Sequence, residues 1–191
     1  MKPQFDLPCV ILCGGKSSRM KEDKSLLPFA NETSLAKYQY NRLKPYFKKI
    51  YLSCKNNKFD FEADLIIEEN DIYSPIVGLN TIFNKLEDDK IFIITVDTPL
   101  VQISSIKSLI DQSIGFDVTV PRTERTHSLC GVFSSNIISL TKKMLDDDFH
   151  KVGYLLNNLN TKIIDFFNDD EFINLNKPED YKKALTLINK A

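Results

Sequence analysis

The sequence has no apolar run approaching the roughly 20 residues that a helix needs to cross a bilayer. Its first residues, Met1 to Asp6, lack the apolar stretch of a signal peptide. Neither charge is in excess, because 25 lysines and arginines stand against 26 acidic residues, for a net charge of −1. These absences argue against a membrane or a nucleic acid as partner. They predict a cytoplasmic protein.

Cysteines are few, and their spacing matches no zinc-binding pattern. Cys9, Cys13, Cys54 and Cys130 all fall in or beside predicted strands. Because cytosolic thiols stay reduced, we expect them to be small buried side chains. No repeat, low-complexity tract or linker divides the 191 residues, and 42% of them are hydrophobic. The composition predicts one domain spanning residues 1–191.

Apolar runs of strand length alternate with helical patterns along the chain. The run Ile91 to Val96 is continuously apolar, which is typical of a central strand buried on both faces. The alternation predicts an α/β fold, a three-layer α/β/α sandwich with a mostly parallel sheet and an antiparallel addition. Predicted strands cover residues 10–13, 50–54, 63–67, 91–96, 116–121, 129–133 and 162–166, and predicted helices cover residues 34–43, 76–86, 104–112, 136–145 and 178–189.

Two common phosphate-binding motifs are also absent, namely Gly-x-x-x-x-Gly-Lys-Ser/Thr and Gly-x-Gly-x-x-Gly. In their place, the segment Leu12 to Lys24 follows the first predicted strand and opens with adjacent glycines. Such a pair lets the backbone approach a ligand closely and present N–H groups to it. Lys16, Arg19 and Lys24 add positive charge. A solvated turn is the alternative, but open α/β sheets bind ligands at this position, which favours a triphosphate site.

Asp97 directly follows the most apolar predicted strand, within Val96-Asp97-Thr98-Pro99. If the strands are parallel, its carboxylate and the glycine loop lie at the same edge of the sheet. Mg²⁺ prefers oxygen ligands, so a carboxylate beside a polyphosphate suits that ion. Aspartate before Thr-Pro is also a good turn former, which is the structural alternative. The nearby glycine loop favours the metal site.

These elements resemble the molybdenum cofactor guanylyltransferase family. Leu12 to Lys24 is similar to its motif Leu-Ala-Gly-Gly-x-Ser-x-Arg-Met-Gly-x-Asp-Lys, and Val96 to Pro99 to its Asp-x-Pro segment. Ser74 to Gly78 resembles its Gly-Pro-Leu-x-Gly loop, and Ile173 to Glu179 its Asn-x-Asn-x-Pro-Glu ending. The four elements occur in the family order over nearly the whole chain. Four positions depart from the family pattern: Cys13, Lys21, Ser74 and Val77.

The resemblance implies a Rossmann-like, mostly parallel sheet of the nucleotide-diphospho-sugar transferase type. It implies transfer of GMP from GTP to molybdenum-bearing molybdopterin, with pyrophosphate released and Mg²⁺ as cofactor. The implied catalytic residues are Arg19, Lys24 and Asp97, with Asp97 also the metal ligand. The implied GTP contacts are Leu12, Cys13, Gly14, Gly15, Lys24, Ser53, Asp71 and Asp97.

The sequence does not single out one residue for the acidic guanosine contact, nor does it fix the pterin contacts. The family places an acidic guanosine contact before the Pro75 loop, and Glu69, Asn70 and Asp71 all compete for it, with Asp71 favoured. Pterin contacts are expected in the second half of the chain, before a predicted strand, near residue 151 and before the last helix, although these residues also have ordinary structural roles available. The candidates are His127, Lys151, Asn174 and Asn176.

The sequence leaves two other functions possible. One is a related nucleotidyltransferase that uses CTP or a sugar phosphate, and the other is a non-catalytic carrier of GTP or pterin. The family resemblance also implies transient contact with cofactor-inserting enzymes, chaperones or molybdoenzymes. A panel of nucleoside triphosphates separates the enzymes, and pyrophosphate release separates an enzyme from a carrier.

Overall fold

The structure is a computed structural model that describes residues 4–14, 23–69 and 71–189. The described residues form one seven-stranded sheet with six α-helices and two short 3-10 helices. The strands are β1 (Cys9–Leu12), β2 (Ile50–Cys54), β3 (Asp64–Ile67), β4 (Lys90–Thr95), β5 (Val118–Arg122), β6 (Gly131–Ser134) and β7 (Thr161–Asp165). The helices are α1 (Leu35–Leu43), α2 (Pro75–Lys85), α3 (Ile103–Asp111), α4 (Ile137–Asp146), α5 (Val152–Asn157) and α6 (Pro178–Ile188).

The strand order is β3-β2-β1-β4-β6-β5-β7. The first four strands in this order are parallel, and β6 runs antiparallel to both β4 and β5. Leu12 at the end of β1 lies opposite Ser53 of β2 and Thr95 of β4. The carboxyl ends of these strands therefore meet at one edge. The predicted parallel sheet with an antiparallel addition is confirmed.

Helices cover both faces of the sheet, because alternate residues of the central strands enter two separate cores. Cys9 and Ile11 of β1 pack in one core with buried residues of α1, α3 and α6. Val10 and Leu12 pack in the other with buried residues of α2, α4 and α5. Burial on both faces explains the continuous apolar run of β4, whose residues 91–94 are fully buried. The predicted three-layer sandwich is confirmed.

Several elements begin or end away from their predicted positions. Asp117 precedes β5 because its N–H donates to the Asn160 carbonyl, outside the strand ladder. The chain before β6 is a turn in which the Cys130 N–H donates to the His127 carbonyl. Helix α5 was not predicted, since its six residues are too few to show a helical period. Within the described ranges, no helix has the length and apolar character needed to cross a membrane.

All four cysteines are buried and carry free thiols, as the sequence predicted. Burial raises the pKa of each thiol above its usual value. For Cys130, burial together with the negative charge of Glu171 raises the pKa to about 12. These thiols are therefore packing groups rather than nucleophiles.

The close pairing of β5 and β6 leads to a stability prediction at Gly131. A Cβ there would lie 2.0 Å from the backbone carbonyl oxygen of Thr119 and so would force the two strands apart. We expect Gly131→Ala to lower the free energy of unfolding by about 3 kcal/mol, the upper part of the usual overpacking range. Urea denaturation followed by circular dichroism measures this change.

Gly153 provides the matched control, because a Cβ there would meet no atom within 4 Å. It lies in helix α5, where alanine is favoured over glycine by roughly 0.5–1 kcal/mol. Gly153→Ala should therefore leave the protein as stable as before or slightly more stable. Equal losses from the two substitutions would contradict the packing argument.

Candidate active site

Three polar side chains from distant parts of the chain meet at the carboxyl edge of the sheet. The Lys24 ammonium Nζ lies 3.0 Å from Asp97 Oδ2 and donates to Asn176 Oδ1 at 2.8 Å. Lys24 and Asp97 are 16% and 20% exposed, so a ligand can reach both. The structure thus unites residues taken from three of the four motifs that carried the family resemblance.

Each member of this cluster is positioned by local backbone structure. Lys24 begins a 3-10 helix, Lys24–Leu26. Asp97 lies in a turn after β4, closed by the Thr98 side chain, which donates to the Thr95 carbonyl at 2.9 Å. Asn176 precedes α6, where the Asp180 carboxylate accepts from the Asn176 N–H at 3.1 Å. These short-range contacts fix where the three side chains start, and the sheet brings them together.

A cavity of ≈ 240 Å³ opens at the ends of β1 and β3 beside this cluster. Its one charged lining group among the described residues is Glu68, directly after β3 and 7% exposed. Glu68 Oε1 accepts from the Ser53 hydroxyl at 2.9 Å, and Oε2 lies 3.1 Å from Lys55 Nζ. The other lining residues are Leu12, Gly14, Tyr73, Ser74, Pro75, Gly78, Thr95 and Leu129. Largely apolar walls around a few fixed polar groups are typical of a small-molecule site.

Two glycines leave space for the Glu68 carboxylate. A Cβ at Gly78 would lie 3.3 Å from Glu68 Oε1, and one at Gly14 would lie 3.5 Å from the same oxygen. Gly14 is not in the left-handed region of backbone conformation. A Cβ at Gly14 would make only an ordinary contact with Glu68, whereas at Gly78 it would crowd the carboxylate. The expected approach of the glycine pair to a ligand stays a prediction.

The residues proposed for guanosine contact occupy different surroundings. Ser53 is fully buried, and its hydroxyl donates to Glu68. Asp71 is exposed and does not line this cavity. Glu69 is 81% exposed, and its pKa is lowered by a hydrogen bond from Lys85 at 2.9 Å. Asn70 lies outside the described residues. The cavity itself therefore presents Glu68, which the sequence reasoning missed.

Two further cavities continue along the same edge. One of ≈ 280 Å³ shares Thr95 and Leu129 with the first cavity and reaches Asp97 and Asn174. The next, of ≈ 510 Å³, includes Asn174, Asn176 and Lys177. The three cavities form a continuous groove, and the Lys24–Asp97–Asn176 cluster lies at its wall, since Asp97 lines the second cavity and Asn176 the third.

The groove contains three of the four predicted pterin contacts, His127, Asn174 and Asn176. Burial, with a smaller contribution from the positive charge of Arg125, lowers the pKa of His127. The Asn174 side-chain oxygen is buried and has no hydrogen-bond partner among the described residues. Lys151 is exposed at the start of α5 and lines neither of these cavities.

His127 is held rigidly at the wall of the groove. Its ring stacks on Phe172, with 4.9 Å between ring centroids. Its Nε2 lies 2.9 Å from the Thr123 hydroxyl, which also donates to Asp169 at 2.5 Å. These contacts on two sides hold the imidazole in one orientation where it lines the groove.

Part of the predicted phosphate loop lies outside the described residues, including Gly15, Lys16, Arg19 and Lys21. Its two flanks are described. Leu12 and Gly14 line the first cavity, and Cys13 is buried beside it. At the other flank, Lys24 reaches Asp97.

The arrangement agrees with the comparison to protein families. A model described as the MobA-like NTP transferase domain matches residues 9–160. The chain belongs to this MobA-like family. It is accordingly a nucleotidyltransferase, and the family predicted from the sequence is confirmed.

Two relatives of the MobA-like chain extend the match beyond that domain. A molybdenum cofactor guanylyltransferase of Campylobacter jejuni subsp. doylei is 36% identical over 182 residues, covering 93% of this chain and 95% of the relative. One of Helicobacter pylori is 34% identical over 192 residues, covering 97% and 94%.

Solved structures share the fold. The molybdopterin-guanine dinucleotide biosynthesis protein A of Archaeoglobus fulgidus superposes with a TM-score of 0.84 at 18% identity, covering 97% of this chain and 100% of that one. The bifunctional IspDF of Campylobacter jejuni superposes with a TM-score of 0.71 at 20% identity, covering 94% and 54%. At these identities the likeness concerns the fold alone.

Proposed function

We propose that this MobA-like chain transfers GMP from GTP to molybdenum-bearing molybdopterin, forming molybdopterin guanine dinucleotide and pyrophosphate. The observation that carries this proposal is the groove with the Lys24–Asp97–Asn176 cluster at its wall. The first and third cavities share no lining residue and are joined by the second, so the groove provides one place for each of two substrates. The names of the two bacterial relatives support the same reaction.

In this reaction, the terminal phosphate of molybdopterin attacks the α-phosphate of GTP, and the bond to pyrophosphate breaks. A phosphate monoester is already an anionic nucleophile at neutral pH, so no side-chain nucleophile is required. The protein's contribution is to position the two substrates and to offset their negative charge. Lys24, whose ammonium group contacts both Asp97 and Asn176 at the wall of the groove, is the described side chain best placed to do so. Arg19 is proposed to assist it.

Asp97 is the residue that would hold Mg²⁺. The described residues contain no group of three or more His, Cys, Asp or Glu side chains arranged for a metal. One carboxylate nevertheless fits this ion, which is commonly bound by one or two carboxylates together with substrate phosphates. Mg²⁺ would supply neutralisation of phosphate charge. Asp97 accepts a hydrogen bond from Lys24, and we propose that Lys24 turns to the phosphates when nucleotide binds.

Glu68 is proposed to read the base. The guanine edge carries two adjacent donors, N1–H and the N2 amino group, and a carboxylate accepts from both. Ser53 and Lys55 hold the Glu68 oxygens in place, so the carboxylate is already oriented before a base arrives. Leu12 and Gly14 provide the adjoining wall. In this proposal Ser53 contributes to base recognition indirectly, by orienting the Glu68 carboxylate.

The acceptor is proposed to occupy the other end of the groove, beside His127, Asn174 and Asn176. The unpartnered Asn174 oxygen suits the N–H groups of a pterin ring. Because GTP is consumed, we place the reaction in the cytoplasm. We also propose that the finished cofactor passes to a recipient or inserting protein through transient contact.

A panel of four nucleotides tests the proposed reaction. The full-length chain is incubated with molybdenum-bearing molybdopterin and Mg²⁺, and pyrophosphate release is measured with GTP, CTP, UTP and ATP. We expect GTP to be preferred by at least about 100-fold in kcat/KM, since buried polar groups left unpaired by the wrong base weaken its binding. Preferred turnover of CTP would overturn the guanylyl assignment.

The same pyrophosphate assay distinguishes the enzyme from a non-catalytic carrier of GTP or pterin. A carrier binds GTP, measured by calorimetry, but releases no pyrophosphate when pterin and Mg²⁺ are present. Omission of molybdopterin is the matched control for the enzyme, because release should then fall to background. GTP binding without any release in the complete mixture would favour the carrier.

A further inference from the structure

A lysine outside the family motifs joins the two flanks of the phosphate loop. Lys58 lies between β2 and β3, and its Nζ donates to the Cys13 backbone carbonyl at 3.0 Å. The same Nζ donates to Asp23 Oδ2 at 2.5 Å. Cys13 immediately follows β1, and Asp23 immediately precedes the 3-10 helix that begins at Lys24. One ammonium group therefore bridges positions ten residues apart in sequence.

Asp23 connects this bridge to the catalytic cluster. Its other oxygen, Oδ1, accepts from the Ser25 N–H at 3.0 Å and from the Ser25 hydroxyl at 2.7 Å. These bonds cap the short helix that carries Lys24. The Ser25 side of the helix is buried, so the cap sets the direction from which Lys24 approaches Asp97.

The charges agree with a bridge that stays ionised. Burial acts to raise the pKa of Asp23, but hydrogen bonds from Lys58 and Ser25 outweigh it, and the pKa is lowered. The Lys58 and Asp23 side chains are 20% and 35% exposed, which shields the pair in part from water. This geometry differs from that of a surface ion pair such as Lys107–Asp111, in which both side chains are more than half exposed.

We propose that Lys58 is a positioning residue for guanylyl transfer, which holds Cys13 and Asp23 together and orients Lys24 through Asp23. The inference rests on the proposed function. The two hydrogen bonds of Lys58, to the Cys13 carbonyl and to the Asp23 carboxylate, fix the distance between these two residues. Small displacements of a catalytic group away from the reacting phosphate are costly for the rate.

Lys58→Met tests this role, because it keeps the length of the side chain and removes its donors. We expect kcat/KM for GTP to fall by about 30-fold, with both a higher KM and a lower kcat, since Asp23 and with it Lys24 are displaced. Lys58→Arg can donate to both acceptors and should recover most of the activity. Lys107→Met is the matched control and should leave both constants unchanged. Unchanged constants in Lys58→Met would overturn the inference.

A double-mutant cycle with Asp23→Asn separates positioning from a direct contact with phosphate. If Lys58 acts through Asp23, the double variant should lose little more activity than Lys58→Met alone. Fully additive losses would overturn the proposal in favour of direct binding of phosphate by Lys58. Pyrophosphate release by the unmodified chain is measured alongside. If the unmodified chain releases no pyrophosphate, the proposed function itself is refuted. If it does release pyrophosphate but Lys58→Met leaves kcat and KM unchanged, only the role of Lys58 is refuted.

Discussion

Asp97→Asn should reduce guanylyl transfer by about 1,000-fold or more. The substitution keeps the size of the side chain and an oxygen that can accept from Lys24, but removes the negative charge proposed to hold Mg²⁺. Loss of one well-placed electrostatic group at a reacting centre typically lowers kcat by roughly 100- to 1,000-fold, and metal binding adds to this effect. Pyrophosphate release measured over a range of Mg²⁺ concentrations gives the result.

The fold should survive this change. Asparagine keeps an oxygen that can accept from Lys24, so the hydrogen bond at this position is retained and thermal unfolding should remain cooperative. Asp165→Asn is the matched control, since Asp165 forms an exposed ion pair with Arg122 at 2.6 Å, outside the groove residues. A rate near that of the unmodified chain in Asp97→Asn would show that the metal is held elsewhere.

The sheet was predictable because its central strands are buried on both faces. Residues 50–54 were predicted as a strand and form β2, and the apolar run from Ile91 forms most of β4. Continuous apolar runs of this length leave few other structures available. At the far side of the sheet, β5 and β6 began two residues later than predicted. There, hydrogen bonds in the adjoining turns compete with the strand ladder, and apolar periodicity does not report them.

The cluster at the active site could be anticipated in part. Asp97 could be placed at the carboxyl edge by the rule for parallel strands, and the structure brings Lys24 to it. The contact with Asn176 joins residues 152 positions apart, and no local pattern encodes such a distance. It depends on where α6 packs against the sheet.

Glu68 lines the first cavity but is not among the residues that the sequence singled out. It directly follows β3, as Asp97 follows β4, so the same edge rule could have selected it. The family resemblance instead implies a guanosine-binding carboxylate among residues 69–71, before Pro75. Lys58 had no comparable signal, since its partners are a backbone carbonyl and a residue 35 positions away.

Glu68→Gln should lower kcat/KM for GTP by about 100-fold or more. Glutamine keeps the shape, and its oxygen can still accept from Ser53, but it replaces one acceptor with an NH₂ donor facing the donors of guanine. Unpaired or opposed polar groups in a buried site strongly weaken binding.

ITP lacks the N2 amino group of GTP, so the ratio of kcat/KM for GTP to that for ITP tests the contact with this group directly. The unmodified chain should prefer GTP over ITP by roughly 10- to 100-fold, and Glu68→Gln should narrow that ratio.

Two further variants locate the base contact. Glu69→Gln removes a carboxylate that is 81% exposed and paired with Lys85, so the preference for GTP over ITP should remain. Asp71→Asn tests the acidic residue that the sequence favoured for this contact.

If Asp71→Asn narrows the GTP/ITP ratio and Glu68→Gln leaves it intact, Asp71 contacts the base and the Glu68 assignment is wrong. If Glu68→Gln alone narrows it, selection depends on a carboxylate that Ser53 and Lys55 already orient before nucleotide binds. A site oriented in advance discriminates without waiting for a loop to order, because the polar groups that a wrong base leaves unpaired are fixed from the start.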